Sequence, residues 1–152
     1  MRRPDHFLSA DTRSLGTVLA DVLRGTERVL LEERPDAMVV LGDTNSCTSA
    51  LMARRMKIPV YHLEAGNRSF DPNVPEEINR HFVDHVSDYN LVYTEHSRRN
   101  LLSEGLHPSR IFLMGSPDEG SARPLRRRNR QKHNTERSQA LARRVSRCER
   151  AP

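Results

Sequence analysis

The stretch Ala37-Met-Val-Val-Leu-Gly-Asp-Thr44 decides the fold, because five apolar residues run without interruption to a glycine and an aspartate. A short apolar run of this kind is typical of a strand buried on both faces, as in a parallel sheet. The run ends at Gly42, and Asp43 stands two residues beyond its last apolar side chain. We therefore expect a buried strand with an acidic side chain just past its carboxyl end.

The sequence predicts a helix before this strand, and a second helix and a second strand after it. Residues 14–33 predict an amphipathic helix, because apolar residues recur at helical spacing: Leu15, Val18, Leu19, Val22, Leu23, Val29 and Leu30. Three residues are suited to cap the start of this helix: Asp11, Thr12 and Ser14. Pro35 stops the helix at its other end. A second helix is expected over 44–56 and a second short strand over 59–63.

The same pattern repeats towards the carboxyl terminus. A helix opening at Pro75, a position that proline favours, precedes a strand over 90–93. A further helix over 96–104 closes at Gly105 and precedes a fourth strand over 110–114. Alternating helices and buried strands predict an α/β fold with a parallel sheet and right-handed crossovers.

Charge divides the chain into two unlike regions. Residues 1–120 carry 14 Lys and Arg against 18 Asp and Glu, whereas residues 121–152 carry 11 against 2 and no aromatic residue. The sequence after Gly115-Ser-Pro117 cannot bury enough apolar surface to offset the entropy of ordering. We expect a folded domain over 1–118 and a basic, disordered tail over 119–152.

Composition disfavours membrane and secreted classes. The chain has no run of eighteen apolar residues, and its first five residues lead into no apolar signal segment. Cys47 and Cys148 lie about a hundred residues apart without metal-type spacing. This favours a reduced, cytoplasmic setting, in which Cys47 packs as a small hydrophobic residue.

Ionisable residues cluster where the predicted strands end, which is where open parallel sheets bind ligands. The residues at this edge are Asp43, His62, Glu64, Glu76, Glu77 and Arg80. Carboxylates so placed can act as acid and base. An arginine beside them pairs with a phosphate or holds a carboxylate in place. The pattern therefore indicates proton transfer near an anionic substrate.

Each of these residues also has a structural interpretation. Asp43 and Thr44 suit the cap of the second helix. Glu76 and Arg80, four residues apart, suit a solvated surface pair of small energetic consequence. A histidine within a buried strand, such as His62, is commonly a satisfied core residue. Spacing alone leaves these alternatives open.

Two further histidines, His81 and His85, share a helical face at the i, i+4 spacing that binds zinc. No third ligand stands near them in the sequence. A structural role is therefore favoured, and no metal site is predicted.

Several segments, taken in order, resemble the non-hydrolysing UDP-N-acetylglucosamine 2-epimerases. They are Arg34-Pro-Asp-Ala-Met-Val-Val-Leu-Gly-Asp-Thr44, Ile58-Pro-Val-Tyr-His-Leu-Glu-Ala-Gly-Asn-Arg68, Val74-Pro-Glu-Glu-Ile-Asn-Arg80, Thr94-Glu-His-Ser-Arg-Arg-Asn-Leu-Leu-Ser-Glu-Gly105 and the Gly115-Ser-Pro117 turn. The resemblance spans about residues 4–117. It implies a partial Rossmann-like sheet belonging to a glycosyltransferase-B type first domain.

The resemblance also implies a reaction and its residues. UDP is eliminated across C1–C2 of a UDP-sugar and re-added after a proton returns to C2 on the other face, with no cofactor. Acid–base roles fall on Asp43, Glu64 and Glu76, with Arg80 as the active-site arginine. The implied substrate-binding residues are His62, Arg68, Glu77 and Asn79. A homodimer is implied as well.

Interconversion of UDP-GlcNAc and UDP-ManNAc is the implied activity. The variants Asn67-Arg68 and Phe70-Asp71, with Ile78 after the paired glutamates, resemble a branch that includes epimerases making 6-deoxy amino sugars. The identity of the epimer pair therefore stays open.

The chain departs from the family at both ends. The family's opening strand with its Gly-Thr-Arg-Pro-Glu loop, and its whole second domain, have no counterpart in this sequence. We therefore expect a fragment with little or no epimerase activity of its own.

Three other interpretations remain. The first is a glycosyltransferase of the same architecture that binds a sugar nucleotide. The second is nucleic-acid binding through the basic tail, which the absence of stacking aromatics disfavours. The third is a chain without function, since missing neighbouring strands expose edges and apolar faces.

Overall fold

A computed structural model describes residues 3–115 of the chain. In chain order its elements are α1 (Leu15–Glu33), β1 (Met38–Leu41), a 3₁₀ turn (Asn45–Thr48), α2 (Ser49–Arg55), β2 (Val60–Leu63), α3 (Pro75–Val86), β3 (Tyr89–Val92), α4 (Glu95–Ser103), a second 3₁₀ turn (Pro108–Arg110) and β4 (Ile111–Leu113). Every predicted helix and strand in this range is present, with bounds that differ by a few residues. The tail predicted over 119–152 lies outside the described residues.

Local chemistry sets the ends of α1. Of the three candidate caps, Ser14 is the one used: its side chain accepts a hydrogen bond from the Thr17 backbone N–H at 3.2 Å. Arg34 closes the helix in the left-handed conformation (φ 45°) and donates its backbone N–H to the Leu30 carbonyl. Pro35 follows immediately, so the helix cannot continue.

The four strands form one parallel sheet in the order β1-β2-β3-β4, which confirms the predicted α/β class. Each strand lies beside the next in sequence, joined through a helix, so all the carboxyl ends meet at one edge. In register across the sheet, Val40 lies beside His62, His62 beside Asn90, and Asn90 beside Ile111. These four residues form one row on the buried face, and two of them are polar.

Two apolar clusters fill the space between the sheet and the helices. The larger joins α1, α2 and α3 to the first two strands through Leu30, Val40, Cys47, Ala50, Ala53, Val60 and Val83. The smaller joins α4 to the last two strands through Ala65, Val92, Leu101, Leu106 and Ile111. Cys47 is 2% exposed within the larger cluster, which confirms its expected packing as a small hydrophobic residue.

The prediction that the first strand is buried on both faces is wrong for the described residues. Val39 and Leu41, on the face opposite Val40, are 60% and 63% exposed. Right-handed crossovers between strands that follow one another in a single direction place every connecting helix on the same face. The other face therefore carries an uncovered apolar row of Leu41, Leu63, Leu91 and Phe112.

The second helix also differs from its prediction. The segment after Asp43 first makes a 3₁₀ turn over Asn45–Thr48 before the α-helix begins at Ser49. Thr44 occupies the cap position of this 3₁₀ turn, but its side chain makes no hydrogen bond to the backbone of the turn. Between residues 3 and 115 no helix has both the length and the apolar character needed to cross a bilayer.

One glycine permits α4 to approach the turn that follows β2. A Cβ placed on Gly66 would lie 2.4 Å from the Ser97 carbonyl oxygen, and the residue has φ 77°. The Asn100 side chain donates to the Gly66 carbonyl at 2.9 Å, so the same residue joins the turn to the helix. Gly66 therefore combines a left-handed backbone with a contact that leaves no room for a side chain.

We expect Gly66→Ala to destabilise the chain more than Gly105→Ala. Both positions have positive φ, but a Cβ on Gly105 would meet nothing within 4 Å. Left-handed strain alone costs about 1–2 kcal/mol, whereas the Ser97 contact adds roughly 1–3 kcal/mol of overpacking at Gly66. Urea unfolding of the two variants measures the difference, and equal losses would contradict this account of the α4 contact.

Candidate active site at the carboxyl edge of the sheet

The first part of the site is the turn that follows β1. Gly42 continues the ladder by donating its N–H to the Leu63 carbonyl at 3.3 Å, and its φ of 74° then turns the chain away from the sheet. Asp43 follows at once, half-buried, so its carboxylate lies beyond the carboxyl end of the strand. Asn79 on α3 donates its side-chain amide to the Asp43 carbonyl at 2.9 Å, which fixes the backbone of the turn.

Arg80 joins this turn to α3. Its Nε donates to Asp43 Oδ2 at 2.7 Å, and one terminal nitrogen donates to Glu77 Oε2 at 3.0 Å. Burial by itself lowers the pKa of Arg80, but the bonds to Glu77 and Asp43 outweigh it and raise the pKa above its usual value. A permanently charged guanidinium therefore holds two carboxylates in place.

Glu77 anchors the loop between β2 and α3. The residue is 5% exposed, and its carboxylate accepts from the backbone N–H groups of Ser69 (3.0 Å) and Phe70 (3.1 Å) and from the Ser69 hydroxyl (3.1 Å). Burial raises the pKa of Glu77, but these bonds and the one from Arg80 outweigh it, so the pKa falls to about 2. Phe70 has φ 58°, and Glu77 holds the loop in this uncommon conformation.

Glu64 follows β2 directly and has a strained backbone, with φ 69° in a residue that is not glycine. Such conformations cost free energy and persist where the surroundings impose them. Its exposed carboxylate lies against the first turn: Oε2 is 3.7 Å from where a Cβ on Gly42 would stand. Asn67 donates to the other oxygen at 3.4 Å. Glu64 and Asp43 are therefore neighbours at one edge.

Glu76 is placed differently from the other predicted acid–base residues. It is exposed in the first turn of α3, and within residues 3–115 its side chain makes no hydrogen bond or ion pair. The alternative interpretation of Glu76 and Arg80 as a surface pair does not hold, because Arg80 is bonded to Glu77 and Asp43 instead. On this helix Arg80 therefore pairs with the glutamate three residues before it, not with the one four residues before it.

The remaining predicted residues, His62 and Arg68, are buried beneath the edge. His62 places Nδ1 2.7 Å from Asp84 Oδ1 and Nε2 3.1 Å from the Gly42 carbonyl oxygen. The Arg68 side chain is 0% exposed and donates to Asp84 at 2.8 Å and twice to Glu104 at 2.7 Å. Both side chains contact protein groups, and their direct contact with substrate stays a prediction.

Sequence reasoning missed Asp84 and Glu104, the two acceptors of this buried network. A signal for Asp84 was present: it lies seven residues after Glu77 and four after Arg80, on one helical face. Glu104 gave no local signal, because it meets Arg68 across 36 residues of sequence.

Glu104 also stands near the paired histidines of α3. Its Oε2 lies 3.4 Å from His81 Nδ1 and 4.0 Å from His85 Nδ1. Both Glu104 oxygens, however, already accept bonds from Arg68. The structural role expected for the two histidines therefore fits this arrangement.

One surface depression lies away from these groups. It measures about 340 Å³ and is lined by Leu8, Ser9, Asp21, Arg24, Gly25 and Arg28, between α1 and the segment before it. None of the predicted site residues contributes to it. At the carboxyl edge of the sheet, Glu64 and Glu76 are exposed and Asp43 is half-buried, whereas Glu77 is buried.

Comparison with known proteins identifies the family of this chain. The model of the family described as UDP-N-acetylglucosamine 2-epimerase matches residues 1–148. The chain belongs to this family. The epimerase of Methanocaldococcus jannaschii is 46% identical over 114 residues, which are 74% of this chain and 31% of that protein. A UDP-2,3-diacetamido-2,3-dideoxy-D-glucuronate 2-epimerase of Pseudomonas aeruginosa is 40% identical over 123 residues, covering 79% and 35%.

Solved structures of family members share the fold. The epimerase of Rickettsia bellii superposes with a TM-score of 0.73 at 50% identity, covering 76% of this chain and 31% of that one. The M. jannaschii epimerase in complex with UDP-GlcNAc and UDP gives 0.73 at 44%, covering 76% and 32%. The sheet is thus part of the glycosyltransferase-B type architecture expected from the sequence. This chain spans about a third of the length of the relatives it matches.

We expect Glu77→Gln to lower stability in a pH-dependent way. Because the pKa of Glu77 is depressed from 4.5 to about 2, its stabilisation is complete above pH 4.5 and is lost as the pH falls towards 2. At pH 7 the variant should lose about 1–3 kcal/mol, for hydrogen bonds to a charged group. Urea unfolding between pH 7 and pH 3 should show the gap to the wild type closing below pH 4.5.

Glu76→Gln is the matched control, since the neighbouring glutamate is exposed and unbonded within the described residues. Its stability should equal that of the wild type throughout. A gap for Glu77→Gln that is independent of pH would show that the charge of Glu77 is not what stabilises the loop.

Cys47 is predicted to be unreactive in the native chain. Burial, and then the negative charges of Asp43 and Asp84, raise the pKa of its thiol from 9.0 to about 11. At pH 8 the reactive thiolate is then roughly a hundredfold scarcer than in an unfolded chain. Iodoacetamide labelling of a Cys148→Ser variant, followed by mass spectrometry, measures this directly. Equal native and denatured rates would contradict the predicted burial of the thiol.

Proposed function

We propose that the carboxyl edge of this sheet carries out acid–base chemistry on a UDP-sugar, in the reaction that interconverts UDP-GlcNAc and UDP-ManNAc. Support comes from membership of the family and from the named activity of its relatives. The observation that carries the proposal is the bond from Arg80 Nε to Asp43 Oδ2 at 2.7 Å. It joins a predicted acid–base residue to the predicted active-site arginine across 37 residues of sequence.

Asp43 and Glu64 supply two carboxylates at neighbouring turns of this edge. Arg80 holds Asp43 while leaving the carboxylate half-exposed, with 30% of the side chain accessible. Glu64 is exposed beside Gly42, and Glu76 is exposed one helical turn before Arg80. Exposed carboxylates held by a rigid frame suit the removal and return of a proton.

The proposed reaction needs no oxidant or reductant. A carboxylate takes the proton from C2, the electrons of the C2–H bond form a C1–C2 double bond, and UDP leaves with the electrons of the C1–O bond. In the return step a carboxylic acid delivers a proton to the opposite face of C2. The UDP oxygen then re-forms the bond to C1, so the atoms balance with the configuration at C2 inverted.

The other predicted residues support this frame in our proposal. Asn79 and Glu77 hold the Asp43 turn and the 69–70 loop, and we propose that these segments carry the substrate contacts. We further propose a cytoplasmic homodimer that acts on a UDP-sugar without a cofactor. The division into a domain over 1–118 and a basic tail over 119–152 is likewise proposed.

A graft into a relative tests the proposal, because this chain matches about a third of that protein. The matching segment of the M. jannaschii epimerase is replaced by the corresponding residues of this chain. Conversion of UDP-GlcNAc and deuterium incorporation at C2 in heavy water are then followed by NMR. Asp43→Asn in the graft should lower kcat by about 10²–10⁴, the usual contribution of a general acid or base.

Asp36→Asn is the control, because Asp36 is an exposed aspartate that precedes β1 at the opposite end of the strand. Its kcat should match that of the unmodified graft. The proposal fails if a graft with native circular dichroism neither converts UDP-GlcNAc nor exchanges its C2 proton. It fails equally if Asp43→Asn retains full activity.

A further inference from the structure

A single buried carboxylate, that of Asp84, is bonded directly to the turn that carries Glu64 and is linked through His62 to the turn that carries Asp43. The Asp84 residue is 0% exposed. Its Oδ1 lies 2.7 Å from His62 Nδ1, and its Oδ2 accepts from the Gly66 backbone N–H at 3.2 Å and from Arg68 at 2.8 Å. The backbone of Asp84 is itself held, since the Asn90 side chain donates to its carbonyl at 2.9 Å.

His62 carries the connection from Asp84 to the Asp43 turn. Its Nε2 lies 3.1 Å from the Gly42 carbonyl oxygen, and a carbonyl oxygen can only accept. A hydrogen bond at this contact therefore requires Nε2 to be the donor, while Nδ1 faces Asp84. The His62 side chain is 2% exposed, so packing fixes the ring as a rigid link between Asp84 and the residue before Asp43.

The second connection runs directly to the turn that carries Glu64. Gly66, whose N–H is bonded to Asp84, stands two residues after Glu64, and both residues have positive φ. A turn with two left-handed residues needs an external partner to stay in one conformation. The Asp84 carboxylate supplies that partner from beneath the sheet edge.

We propose that Asp84 is a positioning residue that sets the placement of Asp43 relative to Glu64, with His62 transmitting its effect to the first turn. The inference rests on the function proposed above for those two carboxylates. It assigns Asp84 no contact with substrate, because both of its oxygens are occupied by protein donors.

An ion pair with Arg68 stabilises the buried charge of Asp84. A buried carboxylate is costly unless it is paired and hydrogen-bonded. Arg68, whose side chain is 0% exposed, pairs with Asp84 on one side and makes two bonds of 2.7 Å to Glu104 on the other. Through Arg68, Glu104 extends the network from α3 to the end of α4.

Asp84→Asn tests the inference, with Asp88→Asn as the matched control. Asp88 also accepts from a backbone N–H, that of Val60 at 3.0 Å, and from an arginine, Arg54 at 2.9 Å. It lies at the opposite, amino-terminal end of the strands. The measurement is amide hydrogen exchange by NMR on the full chain without ligand.

In Asp84→Asn, exchange at Gly42 and Gly66 should rise by at least about tenfold relative to the Leu106 amide, as expected for a lost charged hydrogen bond. In Asp88→Asn, the Val60 amide should be the one affected, while Gly42 and Gly66 follow Leu106. A uniform rise in both variants would show that Asp84 contributes stability alone, and the inference would be overturned.

A measurement on the wild type keeps the test decisive if Asp84→Asn does not fold. Nitrogen NMR of the His62 ring should show a proton on Nε2. A bare Nε2 would remove the link to Gly42 and overturn the inference by itself.

The outcome is separable from that of the proposed function, because neither measurement involves a substrate. The epimerase graft with an added Asp84→Asn change supplies the link to catalysis. In that graft kcat should fall while KM for UDP-GlcNAc changes by less than about threefold, since a positioning residue acts on the acid–base groups rather than on binding. An unchanged kcat would contradict the positioning role.

Discussion

The fold of this edge depends on the placement of one negative charge inside the protein. Asp84 is withdrawn from water on the sheet side of α3, where an unpaired carboxylate would be strongly unfavourable. The chain satisfies it with an imidazole, a guanidinium and a backbone amide, each from the β2 strand or the turn after it. Those partners cannot move independently, because releasing any of them leaves a buried polar group unpaired. Stability and site geometry are therefore set by the same contacts.

The charges of the site are arranged in two layers. The lower layer is the network of His62, Asp84 and Arg68, whose side chains are at most 2% exposed. The upper layer is the half-exposed pair of Asp43 and Arg80, which solvent reaches in part. An exposed ion pair alone contributes little to stability and is easily displaced. The rigid layer beneath it makes a defined geometry possible in the upper layer.

The topology explains why one face of the sheet is occupied and the other is not. When parallel strands follow one another across a sheet in sequence order, right-handed crossovers place every connecting helix on the same face. Val39 and Leu41 on the opposite side are consequently exposed in the described residues. Their apolar character is what a strand buried on both faces would show. Within residues 3–115, however, only the face that carries Val40 is covered.

The sequence by itself determined the elements and the edge at which chemistry is placed. Apolar periodicity located α1, and three candidate capping residues and a following proline bounded it, because these signals act over a few residues. The structure then selected Ser14 among the three. Asp43 and Glu64 were also found from local sequence, since Glu64 directly follows a strand and Asp43 stands one residue further from the end of its strand. The prediction that these two lie at one edge needed only the rule that parallel strands end together.

Tertiary structure alone decided which partner each charge chose. Arg80 stands four residues from Glu76, yet it bonds to Glu77 and to Asp43 across 37 residues of sequence. The burial of Asp84 depends on where α3 settles over the sheet, which no local pattern encodes. Ion-pair choice depends on distance and desolvation in the folded chain, and both are properties of packing rather than of spacing.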